Sequence, residues 1–161
     1  MRIVVDTREK KQAITRILSA FDAEGIPYER HALKTGDYMD PLNPSLIIDR
    51  KQSLDELAIC CTTDRERFKR ELQRAADAGA HLVILVEQNT YMDRGNRIRV
   101  TSIEDLMLWQ SRWSMTTGEK VFRVLSSWLY RYPISIEFCD KRQTGKRIIE
   151  ILREGAAHGR R

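Results

Sequence analysis

Short β-branched runs alternating with amphipathic stretches at helical spacing predict an α/β fold, a three-layer α/β/α sandwich around a mixed central sheet. Three observations carry this. Residues 81–87 read as one strand with a continuous apolar run between His81 and Glu87, which suits a strand covered on both faces. Ile14, Ile17, Leu18 and Phe21 recur at the spacing of one helical face. Residues 46–49 form a second apolar run, and it ends abruptly in Asp49, Arg50 and Lys51.

The elements follow in order. Residues 2–5 are short and β-branched and predict a central strand ending at Asp6. Residues 7–11 read as a strand-to-helix turn, and the helix that follows stops at Gly25 and Pro27. Residues 28–33 alternate like a half-exposed strand. Gly36-Asp37-Tyr38 turns into another strand, and Pro41 and Pro44 mark the next turn. After the strand at 46–49, Ser53 is a helix N-cap that leaves Leu54, Leu57, Ala58 and Cys61 facing inward. A strongly charged helix spans 64–78 and closes at Gly79. Residues 88–99 are polar and predict a loop or loose hairpin, with turn signals at Asn89-Thr90 and Gly95-Asn96. Ser102 opens a helix expected to run to about Trp113, with Glu104 and Asp105 in its first turn. Residues 118–130 form a helix presenting Val121, Leu125, Trp128 and Leu129. A last strand covers 133–138 and a last helix 144–154. No repeat, low-complexity linker or boundary interrupts this pattern, so residues 1–161 are expected to be a single domain.

Composition narrows the function. A hydrophobic share of 42% is ordinary for a folded chain, which argues against disorder. No apolar run approaches ~20 residues, so no membrane span is expected. Asp6 breaks the first apolar run before a signal-peptide core could form, which predicts a cytoplasmic protein, or a nuclear one in a eukaryote. Cys60, Cys61 and Cys139 have neither disulfide nor zinc spacing and are expected to be buried small residues. His31, His81 and His158 are scattered and assigned no metal. Residues 141–161 hold seven Lys or Arg (Lys141, Arg142, Lys146, Arg147, Arg153, Arg160, Arg161) against Glu150 and Glu154. The whole net charge of +5 therefore sits there, which suits either a polyanionic partner or a solvated helix.

The chemistry concentrates at strand ends. Asp6, Asp37, Asp49 and Asp55 fall at strand ends or turns, where ligands gather in a doubly covered sheet. Charge this dense at the tip of an apolar strand is costly unless it is paired or binds something. Asp37 and Asp49 lie on consecutive strands and could reach one Mg²⁺, a hard cation that takes one or two carboxylates plus waters and phosphate oxygens. Alternation puts Lys51 on the same strand face as Asp49. There it can reach an attacking water or stabilise developing negative charge. An acid two residues before a lysine is weak on its own, since Glu9-Lys10-Lys11 matches too. Context gives it weight: the tripeptide ends an apolar strand, follows Asp37 and precedes Asp55. Read alone, Asp37 is good turn chemistry, and Arg8 with Glu9 could be a surface pair.

Val5-Asp6-Thr7-Arg8-Glu9, Gly36-Asp37-Tyr38, and Asp49-Arg50-Lys51 with Asp55 resemble the signature V-D-x-R-E, G-D-Y and E-R-K-x-x-x-D. That signature belongs to the nuclease domain of the XPF-type structure-specific endonucleases, in the PD-(D/E)XK restriction-like superfamily. Order and spacing agree over residues 3–87. The resemblance implies a restriction-endonuclease-like fold and a Mg²⁺- or Mn²⁺-dependent endonuclease. It would cut branched, flapped or junction DNA in repair or recombination, leaving a 5′ phosphate. Asp37, Asp49 and Asp6 would be the metal residues. Lys51 would serve the hydrolytic step, with Arg50 and Asp55 completing the catalytic set; Asp55 would orient Lys51 or Arg50. Arg8 and Arg50 suit bidentate phosphate contact; on the charged helix Arg65 and Arg67 are either further DNA contacts or part of a solvated face with i,i+4 pairs.

Two features depart from the pattern. Asp49 stands where the family usually has Glu, and 161 residues leave no room for helix-hairpin-helix or helicase modules. The short form suggests a bacterial or phage protein. The expected partner is branched or distorted duplex DNA, with no membrane and no small-molecule cofactor. Trp109, Trp113 and Trp128 would be core or an interface, and nuclease domains of this kind commonly pair as homodimers. The alternative reading is a catalytically inactive relative that binds DNA or a protein partner.

Overall fold

The computed structural model describes residues 1–158, so Arg160 and Arg161 of the basic end lie outside the described residues. Six strands make one sheet: β1 (Ile3–Val5), β2 (Tyr28–Arg30), β3 (Tyr38–Met39), β4 (Leu46–Lys51), β5 (His81–Val86) and β8 (Ile134–Phe138). Their spatial order is β2-β1-β3-β4-β5-β8. The β1/β2, β4/β5 and β5/β8 pairs are parallel, whereas β3 runs antiparallel to both β1 and β4, so the sheet is mixed as expected. The polar stretch expected as a loop or loose hairpin is a hairpin, β6 (Thr90–Asp93) and β7 (Asn96–Arg99), turning on Arg94 and Gly95, both at positive φ.

Helices cover both faces because the strands bury alternate residues on each. On one face Ile3, Val5, Ile48, Val83 and Leu85 pack against α1 (Thr15–Ala23) and α5 (Thr144–His158). On the other, Ile47, Leu82, Ile84 and Val86 pack against α2 (Leu54–Cys61), α3 (Arg65–Asp77) and α4 (Gly118–Arg131). Ser53 caps α2 by accepting the Glu56 N–H, as its position predicts. All three cysteines are buried and unpaired in disulfides. Among the described residues no helix is long and apolar enough to cross a membrane.

The segment after Ser102 differs from expectation. It is a 3-10 helix, Ile103–Leu108, and the chain is already extended at Trp109. Gly118 explains the early stop. Its N–H donates to the Trp109 carbonyl at 2.7 Å, and a Cβ there would fall 1.6 Å from the Leu106 carbonyl oxygen. The start of α4 thus occupies the space a longer helix would need. On α4, Val124 joins Val121, Leu125 and Trp128 in the core, while Leu129 turns partly outward.

Candidate active site

Residues of alternate orientation at the end of β4 build two different environments. Ile47, Asp49 and Lys51 share the α2/α3 face, and Ile48 and Arg50 share the α1/α5 face. On the first face Lys51 Nζ lies 2.7 Å from Asp49 Oδ2, in an ion pair with almost no solvent exposure on either side chain. Asp49 Oδ2 has no aligned hydrogen bond among the described residues, so one buried carboxylate oxygen has only the ammonium for company. The ammonium also sits 4.7 Å from the Phe68 ring centroid, held over its face.

Asp37 arrives from the strand next door. Its N–H donates to the Ile48 carbonyl (2.8 Å), and its Oδ2 accepts the Arg50 N–H (2.8 Å), which pins the carboxylate against the tip of β4. Gly36 makes that approach possible: it holds φ +70°, and a Cβ would lie 2.3 Å from Ile47 Cγ2. The Gly36 N–H donates to Glu71 Oε1 of α3 at 3.0 Å. Asp37, Asp49 and Lys51 therefore line one open cleft of about 140 Å³, with Arg8, Glu9, Arg50, Glu56, Arg67 and Glu71 at its walls.

Electrostatics set these acids apart. Burial first, then the charges of Asp49 and Glu9, push the Asp37 carboxyl well above the usual range. Burial also raises Asp49, to about 6, with Lys51 offsetting part of the effect. Burial alone would lower the Lys51 ammonium, but Asp49 overcomes it and the net shift is upward, so Lys51 stays charged. Two carboxyls that resist ionisation beside a fixed cation form a site that gains from a further positive charge. Among the described residues no three His, Cys, Asp or Glu side chains converge as a metal cage. Two carboxylates opening on a solvent cleft suit a cation that keeps waters and phosphate oxygens in its shell, the habit of Mg²⁺.

On the opposite face the Arg50 side chain is satisfied within the protein, although Arg50 and Glu9 also border the cleft. Arg50 donates from Nε to Glu9 Oε2 (2.6 Å), from Nη2 to Glu9 Oε1 (3.1 Å), and from Nη1 to Glu87 Oε1. The Tyr38 hydroxyl donates to Glu9 Oε2 (2.7 Å), and Thr144 Oγ1 donates to Glu87 Oε2 (2.8 Å) at the start of α5. Burial and the neighbouring Glu9 charge hold the Tyr38 phenol well above its ordinary pKa, so it remains a donor.

The ERCC4 domain model matches residues 5–152. The chain belongs to the ERCC4-domain family. This is a family of DNA structure-specific nucleases. Among solved structures the chain is similar to XPF from Aeropyrum pernix, with a TM-score of 0.68 and 20% identity over 100% of this chain. It is likewise similar to XPF from Aeropyrum pernix in complex with DNA, with a TM-score of 0.68 and 19% identity over 98%. It spans 66% of the length of each, and at that identity the likeness is one of fold. No curated protein matches this sequence.

Within this ERCC4 domain the predicted residues divide. Asp37, Asp49 and Lys51 meet, with Arg8 and Arg67 at the rim. Asp6 does not line the cleft. It is fully buried and holds the chain locally, accepting the Leu33 N–H at Oδ1 (2.8 Å) and Arg8 at Oδ2. Arg50 borders the cleft, but its side chain is 3% exposed and its guanidinium is bound up with Glu9 and Glu87 rather than presented to a phosphate. Asp55 orients neither Lys51 nor Arg50. It faces the other side of α2 and accepts the Ser111 hydroxyl at 2.6 Å. Arg65 does not line the cleft, since it sits two residues and more than half a helical turn from Arg67. The three tryptophans do not share a surface: Trp109 and Trp128 are core, and Trp113 lies beyond the 3-10 helix at 84% exposure. The described part of the basic end is largely paired, Arg147 with Glu137 and Glu150, Arg142 with Asp140, and Arg153 with Glu24.

Three acids escape a reading by motif. Glu71 falls with Phe68, Leu72 and Ala75 on the buried face of α3, and a charge on an apolar stripe is the signal that could have found it. Glu56 stands three residues after the Ser53 cap, in the S-x-x-E pattern, and accepts the Gln52 N–H at 2.6 Å. Glu87 ends the apolar run of β5, as Asp49 and Lys51 end that of β4.

Proposed function

We propose that this chain, a single nuclease domain over 1–161, is a divalent-metal-dependent endonuclease for branched, flapped or junction DNA, acting in repair or recombination. The observation that carries the reading is the cleft itself. It holds two acids raised by burial and one buried ammonium at a common cleft, with Arg50 at its edge bound up by Glu9 and Glu87.

Asp37 and Asp49 would hold Mg²⁺ or Mn²⁺, which when bound polarises a phosphoryl oxygen and makes a water acidic. Asp49 also orients Lys51, whose ammonium can stabilise negative charge developing on the phosphate. Phe68 beneath the ammonium and the capped start of α2 keep Lys51 in place. Arg8 and Arg67, both well exposed at the rim, can meet phosphates on either side of the scissile bond.

The test is a panel of flap, fork, four-way junction, plain duplex and single-stranded RNA incubated with Mn²⁺, comparing the native chain with Lys51→Ala. Nicking of branched DNA is expected, reduced about 10²–10³-fold in the variant, the usual cost of losing one charge-stabilising donor. Equal cutting by both proteins would overturn the proposal. So would cutting confined to RNA.

A further inference from the structure

A second groove opens beside the cleft, with a volume of about 570 Å³. The first turn of α2 is the ridge between them: Glu56 lines the cleft and Asp55 lines the groove. One wall is the β6–β7 hairpin and the other is the segment from Trp109 to Arg112.

Both walls are tied to that ridge. Gln88 Oε1 accepts the Leu54 N–H at 2.9 Å, while its Nε2 donates to the Thr90 carbonyl at 2.9 Å. Ser111 Oγ donates to Asp55 Oδ1 at 2.6 Å. The Tyr91 hydroxyl donates to the Asp105 carbonyl at 2.6 Å, joining hairpin to 3-10 helix. The groove is thus held in a set relation to the turn that directly follows Lys51.

Its charge is unspent. Arg97 and Arg112 line it, both exposed, and neither side chain makes an ion pair or hydrogen bond among the described residues. Arg99 stands two residues along β7 on the same hairpin face as Arg97, exposed and likewise unpaired. Elsewhere the arginines are mixed: Arg67, Arg123 and Arg147 have acidic partners, while Arg70, Arg74 and Arg131 make no ion pair among the described residues. Apolar surface is interleaved with the arginines: Met92 in the groove, and Trp113 beside Arg112 in the chain, both exposed. Free guanidinium groups with an exposed aromatic are what a single strand uses, phosphates on the cations and bases on the ring. The volume falls in the range of a small-molecule pocket.

We propose that this groove binds the single-stranded arm of the branched DNA, with Arg97 and Arg112 on its phosphates, so that the arm leaves the cleft over the α2 ridge. The proposal rests on the reading of the Asp37, Asp49 and Lys51 cleft as the place of cleavage.

The experiment measures binding without chemistry, by fluorescence anisotropy in EDTA. The probes are a flap with an arm of about ten nucleotides, within the site sizes single-strand binders show, and the same nicked duplex without an arm. Arg97→Ala/Arg112→Ala is expected to weaken flap binding about tenfold while leaving the armless duplex within about twofold. The slope of log K against log salt on the flap should become shallower by about 1.4, or roughly 0.7 for each single-strand phosphate that no longer meets an arginine. Unchanged flap affinity overturns the proposal. So does equal weakening on both probes, which marks a duplex surface, or conversion of a dimer to a monomer by light scattering, which marks a protein contact. Because the readout is binding, it separates from the test of cleavage by Lys51→Ala. A native chain that cuts while the double variant binds the flap normally sinks the groove alone. A working groove in a protein that does not cut sinks the nuclease reading alone.

Discussion

The two faces of β4 place adjacent cations in opposite conditions. Arg50 meets two carboxylates, which in turn hold a phenol and a helix-start threonine, and each nitrogen of its guanidinium donates to a buried or nearly buried partner. Lys51, one residue on, meets one carboxylate, whose Oδ2 has that ammonium at 2.7 Å as its single polar partner among the described residues. The first arrangement satisfies itself within the protein. The second is incomplete and opens on solvent. A buried polar network that satisfies itself holds a fold together, whereas one that does not is where a ligand is needed. On the proposed reading, Arg50 serves architecture and Lys51 serves chemistry, although both belong to the same tripeptide.

Removing the architectural cation tests this directly. Arg50→Met leaves Glu9 and Glu87 buried without their cation, and the loss of one partner from such a network costs about 3–5 kcal/mol. Urea denaturation should show that loss, while the molecules that remain folded still bind Mn²⁺ in calorimetry. A stable Arg50→Met protein that fails to bind Mn²⁺ would reverse the assignment of the two faces.

A smaller effect is expected one strand away. Gly36→Ala combines a left-handed backbone with a Cβ set 2.3 Å from Ile47 Cγ2 and 3.0 Å from the Ile48 carbonyl oxygen. The cost should be about 2–3 kcal/mol, from left-handed strain of about 1–2 kcal/mol plus overpacking. Because Gly36 carries Asp37 to the tip of β4, Mn²⁺ affinity should fall along with stability. A loss of stability with Mn²⁺ affinity intact would show that Asp37 is positioned by its own bonds to β4 alone.

How far the sequence could be read follows from which rule governed each residue. Alternation along β4 was enough to place Asp49 and Lys51 together, and the order of the strands was enough to bring Asp37 beside them. The same alternation sends Arg50 to the far face, and a motif read as a block of charges hides that. Asp55 was beyond reach of spacing, since its direction depends on the phase of α2 and on a serine 56 residues later in the chain. The Asp6 carboxylate was drawn off by the Leu33 N–H, a partner set by the loop after β2 and invisible locally. The helix expected to reach Trp113 was stopped by the close packing of Gly118, a tertiary effect that overrides a well-formed capping pattern at Ser102.

The smallest change bears most closely on the open face. Asp37 and Asp49 both have pKa values raised in the folded protein, so folding disfavours their ionised forms. The stability associated with these groups is therefore fully present below their unfolded value, near 4, and is lost as pH rises through the folded value, which is about 6 for Asp49. Asp37→Asn keeps an oxygen for the Arg50 N–H and removes the charge that Asp49 and Glu9 oppose. In metal-free buffer it should raise the melting temperature at pH 7.5 by about 2–4 °C, the response to ~1 kcal/mol in a domain of this size, with the gain vanishing toward pH 4. Mn²⁺ should reverse the ranking, since a cation bound by the native pair stabilises it by mass action and has less to hold in the variant. If Asp37→Asn instead melts lower at pH 7.5 without metal, the carboxylate is satisfied by the protein alone, and the open face is as complete as the one behind it.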